Sequence, residues 1–420
     1  MRSVLTTILA GLALIAAQAQ KPASTYDEGK PVGWATVGGN ITGGEGGEEV
    51  TVTNFTEFDN AMLRVNGKKN LTVKRIIYVK GTITFSQQAS YNGVENKTII
   101  GLPGSVLTNM NQDKKNGGIL KLTGNVEDTP CRNIILRNLT FKGPGAYDVD
   151  GNDNLLIQSG QRIWVDHCDF QDAMDGNFDI NNGADNISVT WCRFRYILPP
   201  KAGGSGGSDA HCYSNLIGSS DGTVSDRGHL NVTFANCWWD TGVIERCPRV
   251  RYGKVHLVNC LFTNDNYNYL FGTGYESNIY AEKCAFVATG KSGSQIYKNP
   301  GKNKTAPWNL IISDCIGTND VQERMGSLDY FTPADHYQYD AMDKTLVQEV
   351  VGNEKTGAGA TLTFDDDEAP SAIKTQSAAP VVRTLYYNMG GIRQSEARRG
   401  LTIMSQLLAD GTTTTKKIIR

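Results

Sequence analysis

A short pattern, in which a strand-like run ends in cysteine, any residue and an aromatic, recurs along this chain and constrains its fold more than any other feature. Six cysteines close such runs, and an aromatic follows five of them two positions later: Cys168, Cys192, Cys237, Cys260, Cys284 and Cys315, with Phe170, Phe194, Trp239, Phe262 and Phe286. Three of the five intervals between successive cysteines are nearly equal in length, and the second and the last are longer. A unit of about 24 residues therefore repeats, with insertions in these two intervals, which predicts stacked structural units.

The composition of each unit predicts strands. Runs such as RNIILRNLTF and VHLVNCLF are rich in β-branched and aromatic residues and are bounded by Gly, Asn and Asp. No helical pattern of the length that βαβ units need separates them. We therefore predict an all-β chain folded as a right-handed parallel β-helix, a solenoid whose coils lie about 4.8 Å apart.

The repeated cysteines are then expected to form an inward stack of small apolar thiols. Disulfide bonds are the alternative, because nine cysteines in an exported chain can form them. The count is odd, and cysteines at equivalent positions of successive coils pair poorly. Cys131, Cys212 and Cys247 lie outside the repeat, and whether they pair stays open.

Both ends of the chain carry patterns of their own. Residues 1–19 have a basic Arg2, an apolar run and small residues Ala17 and Ala19, which together predict a secretory signal peptide. The mature protein is therefore expected to be secreted, without a membrane span, either extracellular or on the periplasmic or outer surface. Residues 365–380 read as an acidic linker, and residues 381–420 as a small separate β-module.

Between these ends, residues 20–364 are expected to form the β-helix domain. Thr56, Phe58, Met62 and Val65 predict a short amphipathic helix with Thr56 as its N-cap, which would cover the N-terminal end of the solenoid. We expect coils from about Arg75 to Gly317, then a tail with a helical pattern over residues 339–351. The net charge of −2 argues against a nucleic-acid partner, and we expect a monomer.

Three aspartates are brought together by the repeat. Asp175 and Asp179 follow Cys168 and precede Cys192, whereas Asp153 precedes Cys168, which places it one coil beneath them. Bare carboxylates in adjacent coils would repel one another, so they predict a cation. Ligands that are all oxygen favour calcium, ahead of magnesium. The alternative is that Asp153 and Asp175 serve only turns.

Basic residues fall on the same flank. Arg246 follows Cys237 at the same offset at which Lys201 follows Cys192. Arg249 and Arg251 follow Arg246 in the run RCPRVR. A bend at Pro248 leaves open whether the three side chains point to the same side of the chain. These arginines could form a solvated edge, but arginine also binds carboxylates with two parallel hydrogen bonds. Aspartates with a metal beside arginines predict an acidic polymer as ligand.

The motifs IWVDHCDF, DGNFD, NLIGSSD, RCPRVRYGKVHLVNCLF and YLFGTGYESNIYAEKCAF resemble the pectate lyases of polysaccharide lyase family 1. The resemblance covers roughly residues 30–360. It implies a β-helix that cleaves polygalacturonate by calcium-dependent β-elimination. It also implies that Asp153, Asp175 and Asp179 are calcium ligands, Arg246 the base and Arg251 an arginine that holds a substrate carboxylate. The family lysine is expected where this chain has Tyr213, and Lys201 is the nearest substitute.

A second resemblance concerns the C-terminal end. TLYYNMGGIR, RRGLTIM and KKIIR resemble the short C-terminal β-module of Bacteroidetes secreted proteins. This implies a sorting or attachment role through a secretion system. The alternative is a small β-module that packs on the solenoid.

Other functions stay open at this stage. A polygalacturonase-type hydrolase on the same solenoid would need a carboxylic acid and a carboxylate base, and would leave the arginine cluster unexplained. A pectin lyase would not need the aspartates, and a non-catalytic polysaccharide-binding solenoid fits the C-terminal module. If Arg246 is the base, activity is expected to be highest at alkaline pH. Asp166, in the motif IWVDHCDF, is expected to point inward with Cys168 and to have a structural role.

Overall fold

The computed structural model of the protein describes residues 29–125, 129–363, 381–387, 393–394, 401–408 and 413–419. The signal peptide predicted over residues 1–19 and the linker predicted over residues 365–380 lie outside the described residues. Among the helices that are described, none is long and apolar enough to cross a membrane.

The described chain winds into a right-handed parallel β-helix, as predicted, with three long sheets. Sheet 1 contains Glu48–Val52, Arg75–Val79, Glu95–Gly101, Cys131–Arg137, Gly160–Asp166, Asp185–Thr190, Val232–Ala235, Lys254–Val258, Ser277–Glu282, Trp308–Ser313 and Val321–Met325. Sheet 2 contains Thr82–Thr84, Val106–Thr108, Thr140–Lys142, Asp169–Gln171, Arg193–Arg195, Trp238–Trp239, Leu261–Phe262 and Ala285–Phe286. Sheet 3 contains Ala89–Asn92, Leu120–Thr123, Leu155–Gln158, Phe178–Asn181, Leu216–Ile217, Arg249–Val250, Tyr267–Thr273 and Gly290–Lys298. Each coil contributes one strand to each sheet over most of the length.

The six repeated cysteines all face the core, and all nine cysteines are free thiols. The prediction of an inward thiol stack is therefore confirmed. Hydrogen bonds from a backbone amide to a thiol join neighbouring coils at this position: the amide of Cys168 donates to Sγ of Cys192 at 3.4 Å, and the amide of Cys260 to Sγ of Cys284 at 3.4 Å. The aromatic two positions later also stacks from coil to coil. The ring centroids are 4.9 Å apart for Phe141 and Phe170 and 4.7 Å for Phe262 and Phe286.

A left-handed residue marks the turn from sheet 1 to sheet 2. The residue before each stacked position has a positive φ of 46° to 55°: Asn138, His167, Trp191, Asn236, Asn259, Lys283 and Asp314. Asparagine and aspartate adopt this conformation more readily than most residues. The turn reverses the alternation of side chains, so the residue before it faces outward although the cysteine after it faces inward.

The expectation that Asp166 points inward with Cys168 was therefore wrong. The positive φ of His167 turns Asp166 to the outer face of sheet 1. There its carboxylate accepts a hydrogen bond from Thr190 Oγ1 at 2.6 Å and contacts His167 Nδ1 at 2.9 Å and Arg137 Nε at 3.1 Å. Burial disfavours the charged carboxylate, but the interactions with His167 and Arg137 and the hydrogen bond from Thr190 outweigh it and hold the pKa of Asp166 below its usual value. Asp166 is thus a buried anchor between coils.

Sheet 1 is covered on its outer face as well. The N-terminal segment places Ala35 and Ile41 against Ile135 and Trp164. Further along, Trp34 packs with two aromatic residues of the tail, Phe331 and Tyr337. Because both faces are buried along the middle of sheet 1, strands there such as Arg75–Val79 (RIIYV) are mostly apolar, whereas the two end strands are largely exposed.

A short helix, Phe55–Leu63, packs on the N-terminal end of the core through Phe58, Ala61 and Met62. Its N-cap is Asn54, whose side chain accepts from the amide of Glu57, and not Thr56 as expected. The coils also begin earlier than predicted, since Glu48–Val52 pairs in parallel with Arg75–Val79. The hairpin Arg64–Val65 with Lys68–Lys69 fills the interval.

The tail is less helical than predicted. The 3-10 turn Lys344–Leu346 leads into one short helix, Val347–Val351, which packs on Trp191, Trp238 and Leu261. Further 3-10 turns are Gly33–Thr36, Val224–Asp226 and Pro333–Asp335. The described strands of the C-terminal segment form a separate antiparallel sheet, in agreement with the predicted β-module: Val381–Tyr387, Arg393–Gln394, Leu401–Leu408 and Thr413–Ile419.

Candidate active site

Sheet 3 brings the three predicted aspartates together. Asp179 lies on the strand Phe178–Asn181, which pairs with Leu155–Gln158 on one side and Leu216–Ile217 on the other. Asp153 comes just before the first of these neighbours, and Asp175 just before the strand of Asp179. All three carboxylates are buried, with exposed fractions of 1%, 6% and 5% for Asp153, Asp175 and Asp179.

Backbone amides hold one oxygen of each carboxylate. Gly176 N donates to Asp153 Oδ1 at 2.8 Å, and Leu216 N donates to Asp179 Oδ1 at 2.9 Å. Gly151 N donates to Asp175 Oδ2 at 2.6 Å. Each amide belongs to a segment at or next to sheet 3, so the coil stacking itself fixes the orientation of the three side chains.

The aspartates carry more negative charge than their surroundings compensate. Burial, together with the charges of Asp179 and Asp175, raises the pKa of Asp153 well above its usual value. Burial also raises the pKa of Asp179 to about 7, although Arg246 opposes the shift. A set of buried oxygen ligands that repel one another is the arrangement a hard divalent cation stabilises. The chemistry of this donor set therefore suits a calcium ion.

Gly176 leaves the space that this arrangement needs. A Cβ at this position would lie 2.4 Å from Asp179 Oδ1 and 2.9 Å from Asp153 Oδ1. A methyl group there must displace both carboxylates. The sequence DGNFD thus places a glycine between two acidic residues because the third carboxylate approaches from the coil below.

We expect Gly176→Ala to weaken calcium binding by about tenfold or more, because displaced ligands lose their common geometry. Calorimetric titration with calcium measures the change. Gly222→Ala is the matched control, since the nearest atom to a Cβ there is Ser220 Oγ at 3.7 Å and its backbone is not strained. Equal calcium affinity in the two variants would contradict the close packing inferred at Gly176.

Arg246 faces the aspartates. Its backbone has a φ of +62°, and its guanidinium lies over the ring of Tyr213, 4.7 Å from the centroid. Burial by itself disfavours the charged guanidinium, but the carboxylates of Asp179 and Asp175 outweigh it and raise the pKa of Arg246. The structure therefore places a guanidinium within electrostatic range of the candidate metal site, in its protonated form.

Arg249 and Arg251 are held differently. Arg251 is buried and already paired, with Nε 2.6 Å from Asp221 Oδ1 and Nη1 2.8 Å from the carbonyl oxygen of Gly218. Arg249 Nε lacks a hydrogen-bond partner among the described residues. Burial and the nearby charges of Arg251 and Arg246 lower the pKa of Arg249 to about 10. Of these two arginines, Arg249 is consequently the one whose Nε is available to an added anion.

Glycines make room for these two arginines in the neighbouring coil. A Cβ at Gly272 would lie 2.7 Å from Arg249 Cγ, and one at Gly274 would lie 2.8 Å from Arg251 Cγ. The sequence GTG in the motif YLFGTGY is explained by this approach.

Lys201 is not part of the carboxylate group. It is exposed, in the inserted segment, and its Nζ lies 4.1 Å from the centroid of the Tyr147 ring. The structure therefore brings Arg246 to Asp153, Asp175 and Asp179 but leaves Lys201 at a neighbouring position on Tyr147.

Sequence reasoning missed two residues that border the site. His211 Nε2 lies 2.9 Å from Asp175 Oδ1, and His211 Nδ1 lies 2.7 Å from Asp148 Oδ1. The long interval between Cys192 and Cys237 signalled an insertion here. The length of that interval did not show how the inserted residues align with the coils, so the position of His211 could not be predicted.

The sequence is similar to known pectate lyases. The family model described as pectate lyase matches residues 1–361. "Probable pectate lyase B" of Aspergillus terreus is 33% identical over 245 residues, which are 56% of this chain and 63% of that protein. "Pectate lyase E" of Dickeya chrysanthemi is 29% identical over 336 residues, 68% of this chain and 75% of that protein. The chain spans 63% and 61% of the first two curated relatives it matches.

Solved structures of the same fold agree with the architecture. A mutant pectate lyase of Bacillus subtilis superposes with a TM-score of 0.54 at 21% identity, covering 80% of this chain and all of that one. The cedar pollen allergen jun a 1 superposes with a TM-score of 0.56 at 19% identity, covering 76% of this chain and 90% of that one. With a family model that matches most of its length and with the motifs of the site in order, this chain belongs to the pectate lyase family, polysaccharide lyase family 1.

Proposed function

We propose that the protein is a secreted pectate lyase that cleaves α-1,4-linked polygalacturonate by calcium-dependent β-elimination to 4,5-unsaturated oligogalacturonates. One observation carries the proposal: three buried, mutually repelling carboxylates lie beside the guanidinium of Arg246. A structural acid cluster would need no such unpaired excess of negative charge. Membership of the pectate lyase family supports the same chemistry.

Asp153, Asp175 and Asp179 would hold the calcium ion. When bound, calcium neutralises the substrate carboxylate and so acidifies the hydrogen on the neighbouring C5 atom. Backbone amides fix the orientation of the three carboxylates that would hold the ion. The burial of these three carboxylates strengthens each electrostatic contact that they make.

Arg246 would remove the C5 proton. An arginine has an unperturbed pKa of about 12.5 to 13.8, so it is a poor base while it remains charged. Here Asp179 and Asp175 keep the guanidinium protonated. Neutralisation of these carboxylates would remove the interaction that favours the charged form, which increases the fraction of neutral guanidine, the only form of Arg246 that can accept the C5 proton. If Arg246 is the base, activity is therefore expected to be higher at alkaline than at acid pH.

The remaining basic residues would bind the polymer. Arg249, with an unpartnered Nε and a lowered pKa, is suited to receive a carboxylate of a neighbouring sugar. Arg251 would do so through donors that its contacts with Asp221 and Gly218 leave available. Lys201, exposed on the Tyr147 ring, would contact the chain further along.

One experiment separates this function from the alternatives. Purified protein is mixed with polygalacturonate, with and without a chelator, and the products are examined. We expect ultraviolet-absorbing unsaturated ends that disappear on chelation. A hydrolase would give saturated ends, a pectin lyase would act on the methyl ester without metal, and a binding protein would give no product.

Calcium binding should weaken at low pH. The pKa of Asp179 is raised to about 7, so its carboxyl group is protonated at pH 5 and must lose that proton before calcium binds. A raised carboxyl pKa also means that the calcium-free protein loses stability as pH rises from about 4 to 7. Both effects predict that the calcium-induced increase in Tm is larger at pH 8 than at pH 5, as thermal unfolding would measure. An equal increase at the two pH values would contradict the protonation of Asp179.

The location and processing of the chain are also proposals. The apolar N-terminal segment supports export, and residues 381–420 would act as a sorting or attachment module for a secretion system. Mass spectrometry of the exported protein would show whether residues 1–19 and 381–420 remain on it. We further propose a monomer, which light scattering of the purified protein tests directly.

A further inference from the structure

A second group of ligand-type side chains borders the aspartates. Asp148, Asp175 and His211 are all buried, and one donor atom from each lies within 4.8 Å of the others. Such a spread can be spanned by one ion with bonds of about 2 to 2.5 Å. Asp175 is common to this group and to the calcium site, whereas Asp148 and His211 belong to this group alone.

The inserted segment is folded around Asp148. The amide of Gly206 donates to the carbonyl oxygen of Asp148 at 2.8 Å, and the amide of Ser208 donates to its Oδ2. A Cβ at Gly206 would lie 2.2 Å from Asp148 Oδ1, so only glycine fits there. The carboxylate is thus held in place by the same segment that carries His211.

His211 is the observation that points to a ligand. Its side chain is 6% exposed, and both ring nitrogens lie within 3 Å of a carboxylate oxygen. Neither nitrogen, however, has a hydrogen-bond partner with suitable geometry in the described part of the chain. The imidazole therefore lies between the two carboxylates without a well-directed hydrogen bond to either.

We propose that Asp148, Asp175 and His211 form a second cation site that takes a borderline divalent ion of the zinc class. An imidazole nitrogen with two carboxylates suits Zn²⁺, Co²⁺, Ni²⁺ or Cu²⁺, whereas the ligands of the first site are oxygen only and suit calcium. The two sites differ in metal preference because the insertion adds one nitrogen ligand.

The shared Asp175 couples the two sites. A zinc-class ion bound to Asp175 draws its carboxylate toward Asp148 and His211 and adds positive charge next to the calcium ligands. Zinc is therefore expected to raise the apparent Kd for calcium. This competition rests on the proposed function, whereas zinc binding itself does not depend on any catalytic activity.

Calorimetric titration of the metal-free protein with zinc chloride tests the site. We expect one zinc ion per chain, and a Kd at least about tenfold higher in His211→Gln, because the nitrogen ligand is lost. His229→Gln is the matched control, since His229 is half-buried and its Nδ1 lies 4.0 Å from an aspartate outside the group, Asp185. Zinc affinity in this control should stay within about twofold of the unchanged protein.

A spectroscopic measurement on the unchanged protein covers the case in which His211→Gln fails to fold. Bound Cu²⁺ should show electron paramagnetic coupling to one imidazole nitrogen. Absence of stoichiometric zinc binding, or equal zinc affinity in His211→Gln and the unchanged protein, would overturn the site. Zinc binding that leaves calcium affinity unchanged would overturn the competition, and calcium titrations with and without zinc decide this.

Discussion

Arg246→Ala is expected to lower kcat on polygalacturonate by about 10² to 10⁴, the usual contribution of a positioned general base. Substrate affinity should change little, because Arg249 and Arg251 remain. Calcium affinity should be kept or should increase, since the variant removes a positive charge that acts on Asp179. The rate of formation of ultraviolet-absorbing ends and calorimetric titrations with oligogalacturonate and calcium measure the three quantities.

The combination of these results separates loss of a base from collapse of the site. A variant that lost calcium along with activity would show that Arg246 holds the aspartates in place. Arg132→Ala is the matched control: it removes an arginine of sheet 1 that is 45% exposed and pairs with Glu95. Its activity should stay within about twofold of the unchanged protein. More than about a tenth of normal kcat in Arg246→Ala would exclude Arg246 as the base.

The fold could be predicted because two residue positions in each coil are enough to define its repeat. A cysteine and an aromatic at fixed offsets identify the coil, and the coil then places residues that are distant in sequence. Asp153 and Asp179 are well separated along the chain, but counting from Cys168 and Cys192 brings them to adjacent coils. Residues inside the period were therefore located from the sequence alone.

Residues that depend on the insertion could not be placed by counting from the repeated cysteines. Asp148 and His211 meet across the insertion, whose glycine-rich sequence has no register with the coils. The outward orientation of the Asp166 side chain was not predicted, for another reason. Asparagine in a left-handed turn is recognisable, but in this coil the left-handed residue is His167, and the run IWVDHCDF was interpreted as an unbroken strand. Sequence alone thus finds the three candidate calcium ligands but not the residues beside them.

The hydrogen-bond partners of the arginines also could not be predicted from the sequence. RCPRVR indicates an arginine cluster, but which guanidinium lacks a partner depends on Asp221 and Gly218, which lie in another coil. The structure shows Arg251 engaged there and Arg249 with an unpartnered Nε. If a substrate carboxylate binds in this region, Arg249 is the more available donor, although the family resemblance pointed to Arg251.

Removal of calcium is expected to stop formation of unsaturated products altogether, and added calcium should restore it. The physical reason is that a uronate carboxylate that keeps its full charge disfavours loss of the neighbouring C5 proton. Asp179→Asn should raise the Kd for calcium by about 100-fold or more, because one of three charged ligands is lost. The substitution also relieves repulsion, so the calcium-free variant should be more stable than the unchanged protein at pH 8.

These opposite effects on affinity and stability make the test specific to a metal site. A carboxylate that only supported the fold would lower stability when replaced, with or without calcium. Asp113→Asn is the matched control, since Asp113 is exposed and accepts from the amides of Lys115 and Asn116 in a turn, a role that an asparagine oxygen can fill. Its calcium affinity should not change. If chelation left product formation intact, the three aspartates would have a structural role, and the reaction would need another way to neutralise the substrate carboxylate, for which Arg249 would be the first candidate.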